Sequence, residues 1–283
     1  MDTTVRAKYE DLQRLLSSMG SVVVAYSAGV DSTLVLRVAH DVLGERVIAA
    51  TGLSDTYPEE EMAEARALAA EIGVRHVMVR TEELTDPRYA MNSHQRCFFC
   101  KQELYGKLRE VAEQHGMAHI VDGTNADDLG DHRPGLRAAR ELGVRSPLQE
   151  VSFTKAEIRE LSSQLGLRTW DKPAFACLSS RFPYGTPITL EALRQVADGE
   201  RAVRRLGFRG FRVRHHDAVA RLEVDVADFP QVIEHHEEIV AALQEVGYRF
   251  VALDLQGYRR GSLNEVLSDR VRQASTPIPH GAD

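Results

Sequence analysis

The stretch SVVVAYSAGVDSTLVLRVAHDVLG, residues 21–44, changes its period halfway along. Val22, Val23 and Val24 form a continuous β-branched run without alternation, which predicts a short strand buried on both faces of a parallel sheet. From Leu34 onward the apolar positions Leu34, Val35, Val38, Ala39 and Val42 recur at helical spacing, and Gly44 stands where a helix C-cap belongs. Between the two halves lies YSAGVDST. Ser27, Ala28 and Gly29 are small enough for an anion to approach their backbone amides, and the helix starting near Asp31 aims its unpaired N–H groups at the same point. Asp31 and Ser32 are equally ordinary helix-capping residues, so the loop alone does not establish a phosphate site.

Working outward, the same alternation continues. RVIAATG (46–52) predicts a second strand, Pro58 to Ile72 a helix, and RHVMVR (75–80) a third strand. A less regular stretch with two cysteines then leads into a helix over 101–116, AHIVDG (118–123) is a fourth strand, and 153–166 is a further helix. Strands alternating with helices predict an α/β fold with a parallel sheet covered on both faces, here assigned to residues 1–168. Residues 169–188, rich in Pro, Ser and Gly, read as a connecting loop carrying Cys177. Beyond it the pattern becomes a helix (190–207), two alternating strands (208–216 and 219–226), a helix from Phe229 to Val246 and a strand (248–255). That order predicts a smaller α+β domain over 189–268, with a tail lacking regular structure over 269–283.

Composition excludes several classes. A net charge of −7 over 283 residues argues against a broad nucleic-acid-binding surface. Three cysteines, an odd number, do not make the disulfide framework of a secreted protein. The N-terminal helix has no signal-peptide apolar core, and no apolar run approaches the length of a membrane span. A cytoplasmic protein without membrane or nucleic-acid partners is expected.

The pattern S-x-G-x-D-S after an apolar strand resembles the signature of the PP-loop ATP pyrophosphatases, with Ala28 where that family mostly has glycine. The resemblance implies ATP over Ser27, Ala28, Gly29, Val30, Asp31 and Ser32, with Asp31 holding Mg²⁺. These enzymes split ATP between its α- and β-phosphates, transfer AMP to an oxygen and then displace it with a nucleophile. GTNADD (123–128) follows a strand at the rim where open α/β sheets bind ligands. In PP-loop synthetases such a segment, here Gly123, Thr124, Asn125 and Asp128, borders the ATP site. By the same resemblance TGLSDTYP (51–58) lines the adenine pocket.

Cys97 and Cys100 in NSHQRCFFCK (92–101) admit several readings. A disulfide is disfavoured in the cytosol. A thioredoxin-type redox pair leaves Cys177 unexplained. Zinc needs four ligands, which Cys97, Cys100, Cys177 and His94 can supply. A [4Fe–4S] cluster held by three thiolates leaves its fourth iron open to an exogenous sulfur ligand. Three unrelated cysteines remain the bland alternative.

YSAGVDST, GTNADD, PAFACLSSRFPYG (173–185) and RLEVD (221–225) together are similar to the LarE family, ATP-dependent sulfur transferases of nickel-pincer cofactor synthesis. The resemblance implies adenylation of a carboxylate of pyridinium-3,5-biscarboxylic acid mononucleotide and replacement of oxygen by sulfur. Some members sacrifice the sulfur of the cysteine matching Cys177. Those with an additional C-x-x-C, the pattern here, pass on sulfide, or sulfur from another donor, through a three-cysteine [4Fe–4S] centre. Arg212 and Arg214 alternate with Phe211 and Val213 and so share one strand face, where paired guanidiniums suit a mononucleotide phosphate. The resemblance adds Ser180 and Arg181 as phosphate contacts, Glu200 and Glu223 as a cation site, and a homo-oligomer is expected. The pairs His215–His216 and His235–His236 read as surface histidines. The rival functions are a PP-loop tRNA thiolase, an amidating synthetase using ammonia and a non-catalytic nucleotide-binding module.

Overall fold

The computed structural model describes residues 2–54, 56, 59–130, 134–173, 176–259 and 261–267. In chain order the first half runs α1 (Thr3–Ser18), β1 (Val22–Ala25), α2 (Val30–Leu43), β2 (Val47–Leu53), α3 (Glu59–Ile72), β3 (Arg75–Arg80), α4 (Pro87–Ala90), α5 (Arg96–His115), β4 (His119–Val121), α6 (Pro134–Glu141), α7 (Pro147–Glu150) and α8 (Lys155–Gln164). The second half adds α9 (Leu190–Arg205), β5 (Arg212–His216), β6 (Val219–Glu223), α10 (Phe229–Glu234), α11 (His236–Glu245) and β7 (Phe250–Leu253).

Four parallel strands form the first sheet in the order β3-β2-β1-β4. The period of two divides β1 between two cores. Val22 and Val24 face a cluster with Leu12 and Leu16 of α1, Leu34 and Val38 of α2 and Ile158 and Leu161 of α8. Val23 faces a second cluster with Leu108 and Val111 of α5 and Ala139 of α6. Helices therefore cover both faces, which is why the strand opens with three consecutive valines. The chain passes from β1 outward to β2 and β3, then returns to place β4 on the other side of β1. That reversal opens a crevice at the carboxyl ends of β1 and β4, the switch point at which open α/β sheets take ligands.

The second sheet has the order β5-β6-β7. β5 and β6 form an antiparallel hairpin, and β7 runs parallel to β6. Val213, Leu222, Val203, Ile239 and Leu243 build a separate buried cluster on one face of this sheet.

Three expectations change. Cys97 and Cys100 do not precede the helix: α5 begins at Arg96 and carries both within its first five residues. The helix expected from Phe229 to Val246 is broken at His235, which caps α10 and precedes α11. His215 is not a surface residue. It is 6% exposed, with its ring 4.9 Å from that of Phe182 and Nδ1 3.2 Å from the Tyr248 hydroxyl. Burial lowers the His215 pKa, which favours the neutral ring suited to that packing. The expected tail over 269–283, Pro58, and part of the expected adenine-pocket segment (Asp55 and Tyr57) lie outside the described residues. Among the described residues no helix is long and apolar enough to cross a membrane.

Candidate active site

A cavity of about 550 Å³ opens at the switch point, within the range of small-molecule sites. Its floor is the phosphate loop. Gly29 is the N-cap residue of α2, and no side chain caps that helix, so its first-turn amides point toward the cavity. Ser32 Oγ is 3.1 Å from Ser27 Oγ, which closes the loop upon itself. Ala28 is fully buried and has φ of +56°, the left-handed region that favours glycine. The missing glycine of the family pattern is thus replaced by the smallest side chain that can hold its conformation, at a cost of about 1–2 kcal/mol.

The segment after β4 supplies one wall. Asp122 is buried and accepts hydrogen bonds from Tyr105 Oη (2.9 Å), Ser146 Oγ (2.8 Å), and Thr124 N and Oγ1 (both 3.0 Å). These contacts shape the turn over Gly123, Thr124 and Asn125, all of which line the cavity. Asn125 Nδ2 donates to Asp31 Oδ1 at 3.2 Å, while Asp128 Oδ2 accepts from the Asn125 backbone at 3.1 Å. Gly123 has a packing role: a Cβ there stands 2.8 Å from Ser32 N and 3.1 Å from Asp31 C and Cβ. Backbone, which cannot rotate aside, must then move. Gly123→Ala is expected to cost about 1–3 kcal/mol of stability and to lower ATP-dependent pyrophosphate release on the order of a hundredfold. Thermal unfolding and a pyrophosphate assay check the two.

The opposite wall comes from the second sheet. Ser180, Arg212 and Arg214 line the cavity together with Tyr258 and Ser262. Arg212 and Arg214 share a strand face, as their alternation predicts. Arg212 lies over the Tyr258 ring (5.0 Å to its centre), and Arg214 donates to Ser180 O (2.7 Å), Ser262 Oγ (3.2 Å) and Glu223 Oε2 (2.7 Å).

Arg181, Glu200 and Glu223 are engaged in ion pairs within the chain. Arg181 is 1% exposed and forms a double hydrogen bond to Glu200, both contacts at 2.8 Å, instead of facing the cavity. Glu223 accepts from Arg214 and from Arg221 (3.0 Å). In the ligand-free chain both carboxylates neutralise buried guanidiniums. Arg181 also donates to the carbonyls of Ala176 (2.6 Å) and Cys177 (3.1 Å), which holds the Cys177 loop against α9.

The segment around Cys97 and the turn after Cys177 are joined by contacts that the sequence did not announce. Cys97 and Cys100 lie one turn apart on α5, so they share a face. Arg96, buried beside them, donates to Asn92 Oδ1 and to Ser179 O (2.7 Å). Tyr89 Oη is 2.6 Å from Ser179 Oγ, and Asn92 Nδ2 donates to Pro183 O (2.7 Å). These bonds tie the start of α5 to the turn that follows Cys177. Cys97 is exposed and lines the large cavity. Cys100 is half-buried and borders a smaller cavity of about 70 Å³ that also reaches Ser27, Thr51 and Glu83.

Burial pushes the Cys177 thiol up, and the charge of Cys97 adds to this, while Arg96 and Arg181 pull against both. Burial pushes Cys100 higher still, with Glu83 and Cys177 adding to it. Each of these two thiols therefore feels the charge of its neighbours. The reactive species is the thiolate, so raised pKa and burial act in the same direction. In the metal-free protein near neutral pH, iodoacetamide is expected to label Cys97 first and Cys100 last. Cys177 labelling is expected to accelerate as the pH climbs past the ordinary cysteine range. Peptide mapping by mass spectrometry reads the order.

Sequence reasoning also missed two lysines. Lys155, at the start of α8, places Nζ 2.5 Å from Asp31 Oδ2. Lys172 bonds to Ala28 O (3.3 Å), Glu61 (2.9 Å) and Glu64 (2.6 Å), clamping the connecting loop onto the phosphate loop and α3. The only signal for the first was its place beside Thr154 and Glu157, the pattern of a capped helix start.

Comparison with known proteins agrees with this geometry. The family model described as NAD synthase matches residues 8–123. An uncharacterised protein of Synechocystis sp. is 44% identical over 266 residues, covering 93% of this chain and 99% of that protein. The pyridinium-3,5-bisthiocarboxylic acid mononucleotide synthase of Lactiplantibacillus plantarum is 38% identical over 266 residues, covering 94% of this chain and 96% of that enzyme. An uncharacterised protein of Methanocaldococcus jannaschii is 27% identical over 238 residues, covering 84% of this chain and 90% of that protein. With nearly the full length of a synthase matched, and a phosphate loop and a cysteine on one cavity, the chain belongs to the LarE family of ATP-dependent sulfur transferases within the PP-loop ATP pyrophosphatases.

Proposed function

We propose that the enzyme adenylates a carboxylate of pyridinium-3,5-biscarboxylic acid mononucleotide and converts it to a thiocarboxylate with sulfur carried at the Cys97, Cys100 and Cys177 centre. A carboxylate oxygen attacks the α-phosphorus of ATP and pyrophosphate leaves. Sulfur then adds to the acyl carbon of the adenylate, and AMP departs with the original oxygen. One observation carries the reading: a single cavity is lined by the phosphate loop, by Arg212 and Arg214 and by Cys97.

The residues divide the work. The first-turn amides of α2 and the backbone of Ser27 to Ser32 receive the phosphates, stabilising charge where it develops. Asp31 fits Mg²⁺, because its carboxylate already sits against one cation, the Lys155 ammonium, beside that helix start. Asp31 would hold the ion, which would supply positive charge against the pyrophosphate leaving group. Arg212 and Arg214 suit the mononucleotide phosphate, with Ser180 and Ser262 adjacent.

The donor set also bears on the metal. Among the described residues no three His, Cys, Asp or Glu side chains gather around one point as a mononuclear zinc site requires. A four-iron cluster makes a different demand, since each thiolate binds its own iron. Three thiols on two segments tied together by Arg96, α5 and the Cys177 loop, would suit that arrangement, and such a cluster would supply an open iron for a sulfur ligand. Iron and acid-labile sulfide are the expected content of anaerobically purified protein, and zinc in their place contradicts the cluster.

The reading is tested by the position of ATP cleavage. Incubation with ATP, Mg²⁺ and the pyridinium dicarboxylate is expected to give AMP and pyrophosphate only when the dicarboxylate is present. Formation of ADP and phosphate, or cleavage indifferent to the dicarboxylate, contradicts it.

A further inference from the structure

Both oxygens of Asp31 are already engaged. Oδ1 accepts from Asn125 Nδ2 at 3.2 Å, and Oδ2 meets the Lys155 ammonium at 2.5 Å. The two charged side chains are only about a quarter exposed, at 25% for Lys155 and 23% for Asp31. A carboxylate that close to the positive end of α2 and that poorly hydrated needs its charge balanced. The ammonium balances it in the ligand-free chain. A metal ion on the same oxygen and the ammonium at 2.5 Å cannot both remain, since two cations there repel strongly at low effective dielectric.

The backbone from which Lys155 projects is fixed. Thr154 caps α8 in a reciprocal box with Glu157, and Glu157 is gripped by Lys8 at 2.7 Å. The Lys155 backbone N–H donates to Asp127 Oδ2 at 2.8 Å. The pivot is held while the four-carbon stem keeps its rotamers, which is how a lysine differs from the planar fork of an arginine. Lys155 lines the same cavity as Ser27, Gly29 and Ser32. An ammonium released from Asp31 therefore stays within reach of phosphates on the loop. Lys172, the other lysine at this loop, is pinned by two carboxylates outside it and has no such choice.

We propose that Lys155 is an exchangeable counter-cation: it neutralises Asp31 in the free enzyme, yields that carboxylate to the metal ion, and then binds the polyphosphate. This rests on the phosphate-site reading given above. It makes Lys155 an opponent of metal binding and a partner of phosphate binding, so one substitution moves the two affinities in opposite directions. A purely structural lysine moves both the same way.

The test needs no turnover. Mn²⁺ binding without nucleotide, followed by electron paramagnetic resonance, and pyrophosphate binding at saturating Mg²⁺, followed by calorimetry, are compared between the wild-type chain and Lys155→Met. Removing the competing ammonium is expected to tighten Mn²⁺ about tenfold, and losing the phosphate contact to weaken pyrophosphate about tenfold. Lys155→Gln keeps a donor of similar reach without the charge. It is measured in the same way, replaces the Met variant if that fails to fold, and carries the same two expectations. Weakening of both ligands, or no change in either, overturns the exchange. A wild-type chain that binds neither ligand overturns the phosphate-site reading itself.

Discussion

Arg181→Met is expected to lower the unfolding free energy by about 3–5 kcal/mol, the largest single-residue effect on stability in this site. Arg181 and Glu200 are 1% and 5% exposed and share two hydrogen bonds. Truncating the guanidinium leaves a carboxylate buried without its counter-charge, and that desolvation dominates the loss. Glu200 Oε1 also accepts from the Val213 backbone at 3.2 Å, so the disturbance reaches β5 and the arginines it carries. Because Arg181 bonds the Ala176 and Cys177 carbonyls, the Cys177 loop loses its anchor as well. Sulfur transfer is expected to fall more than adenylation, since Arg181 anchors the Cys177 loop and not the phosphate loop. The double variant Arg181→Met/Glu200→Leu, which removes both charges, is expected to recover most of the stability. Urea unfolding measures each step. A loss for Arg181→Met of only about 1 kcal/mol, the scale of an exposed pair, contradicts the buried geometry.

Cys177→Ala has the largest expected effect on chemistry. The loop that carries Cys177 does not form the phosphate floor, so the variant is expected to bind ATP and to exchange labelled pyrophosphate into ATP near the wild-type rate. Thiocarboxylate formation is expected to drop on the order of a thousandfold or more, as for a deleted nucleophile. The separation of the two half-reactions is the informative part. An amidating enzyme supplied with ammonia keeps full turnover in this variant. The state of Cys177 after wild-type turnover separates two routes for the sulfur. Loss of hydrogen sulfide from its side chain, leaving dehydroalanine, marks a sacrificed cysteine, whereas an unchanged residue marks a carrier.

Much of the frame was legible because local and global signals agree. Three consecutive valines in β1 demand burial on both faces, and the stripe from Leu34 to Val42 demands a helix beside them. The alternation of Arg212 and Arg214 with Phe211 and Val213 placed two guanidiniums on one face, where the structure has them. Other parts depended on contacts between residues far apart in sequence. Nothing near Arg181 or Glu200 announces that they pair, because an arginine in a turn and a glutamate on a helix are ordinarily solvated. Arg96 gives no sign that it will bind the carbonyl of Ser179. His215 looked like a surface residue because adjacent histidines on a strand face opposite ways; which of them is buried depends on Phe182 and Tyr248. Lys155 and Asp31 meet only because β4 and α8 return to the side of β1 that the phosphate loop occupies.

A single turnover under anaerobic conditions bears most directly on the claim that adenylation and sulfur transfer share this cavity. The enzyme is mixed with ATP, Mg²⁺ and the pyridinium dicarboxylate mononucleotide, then quenched, and AMP and the pyridinium product are quantified together by mass spectrometry. The account predicts AMP and thiocarboxylate in equal amounts, with no amide when ammonia is added. AMP formed without any sulfur entering the pyridinium product, or an amide in its place, contradicts it.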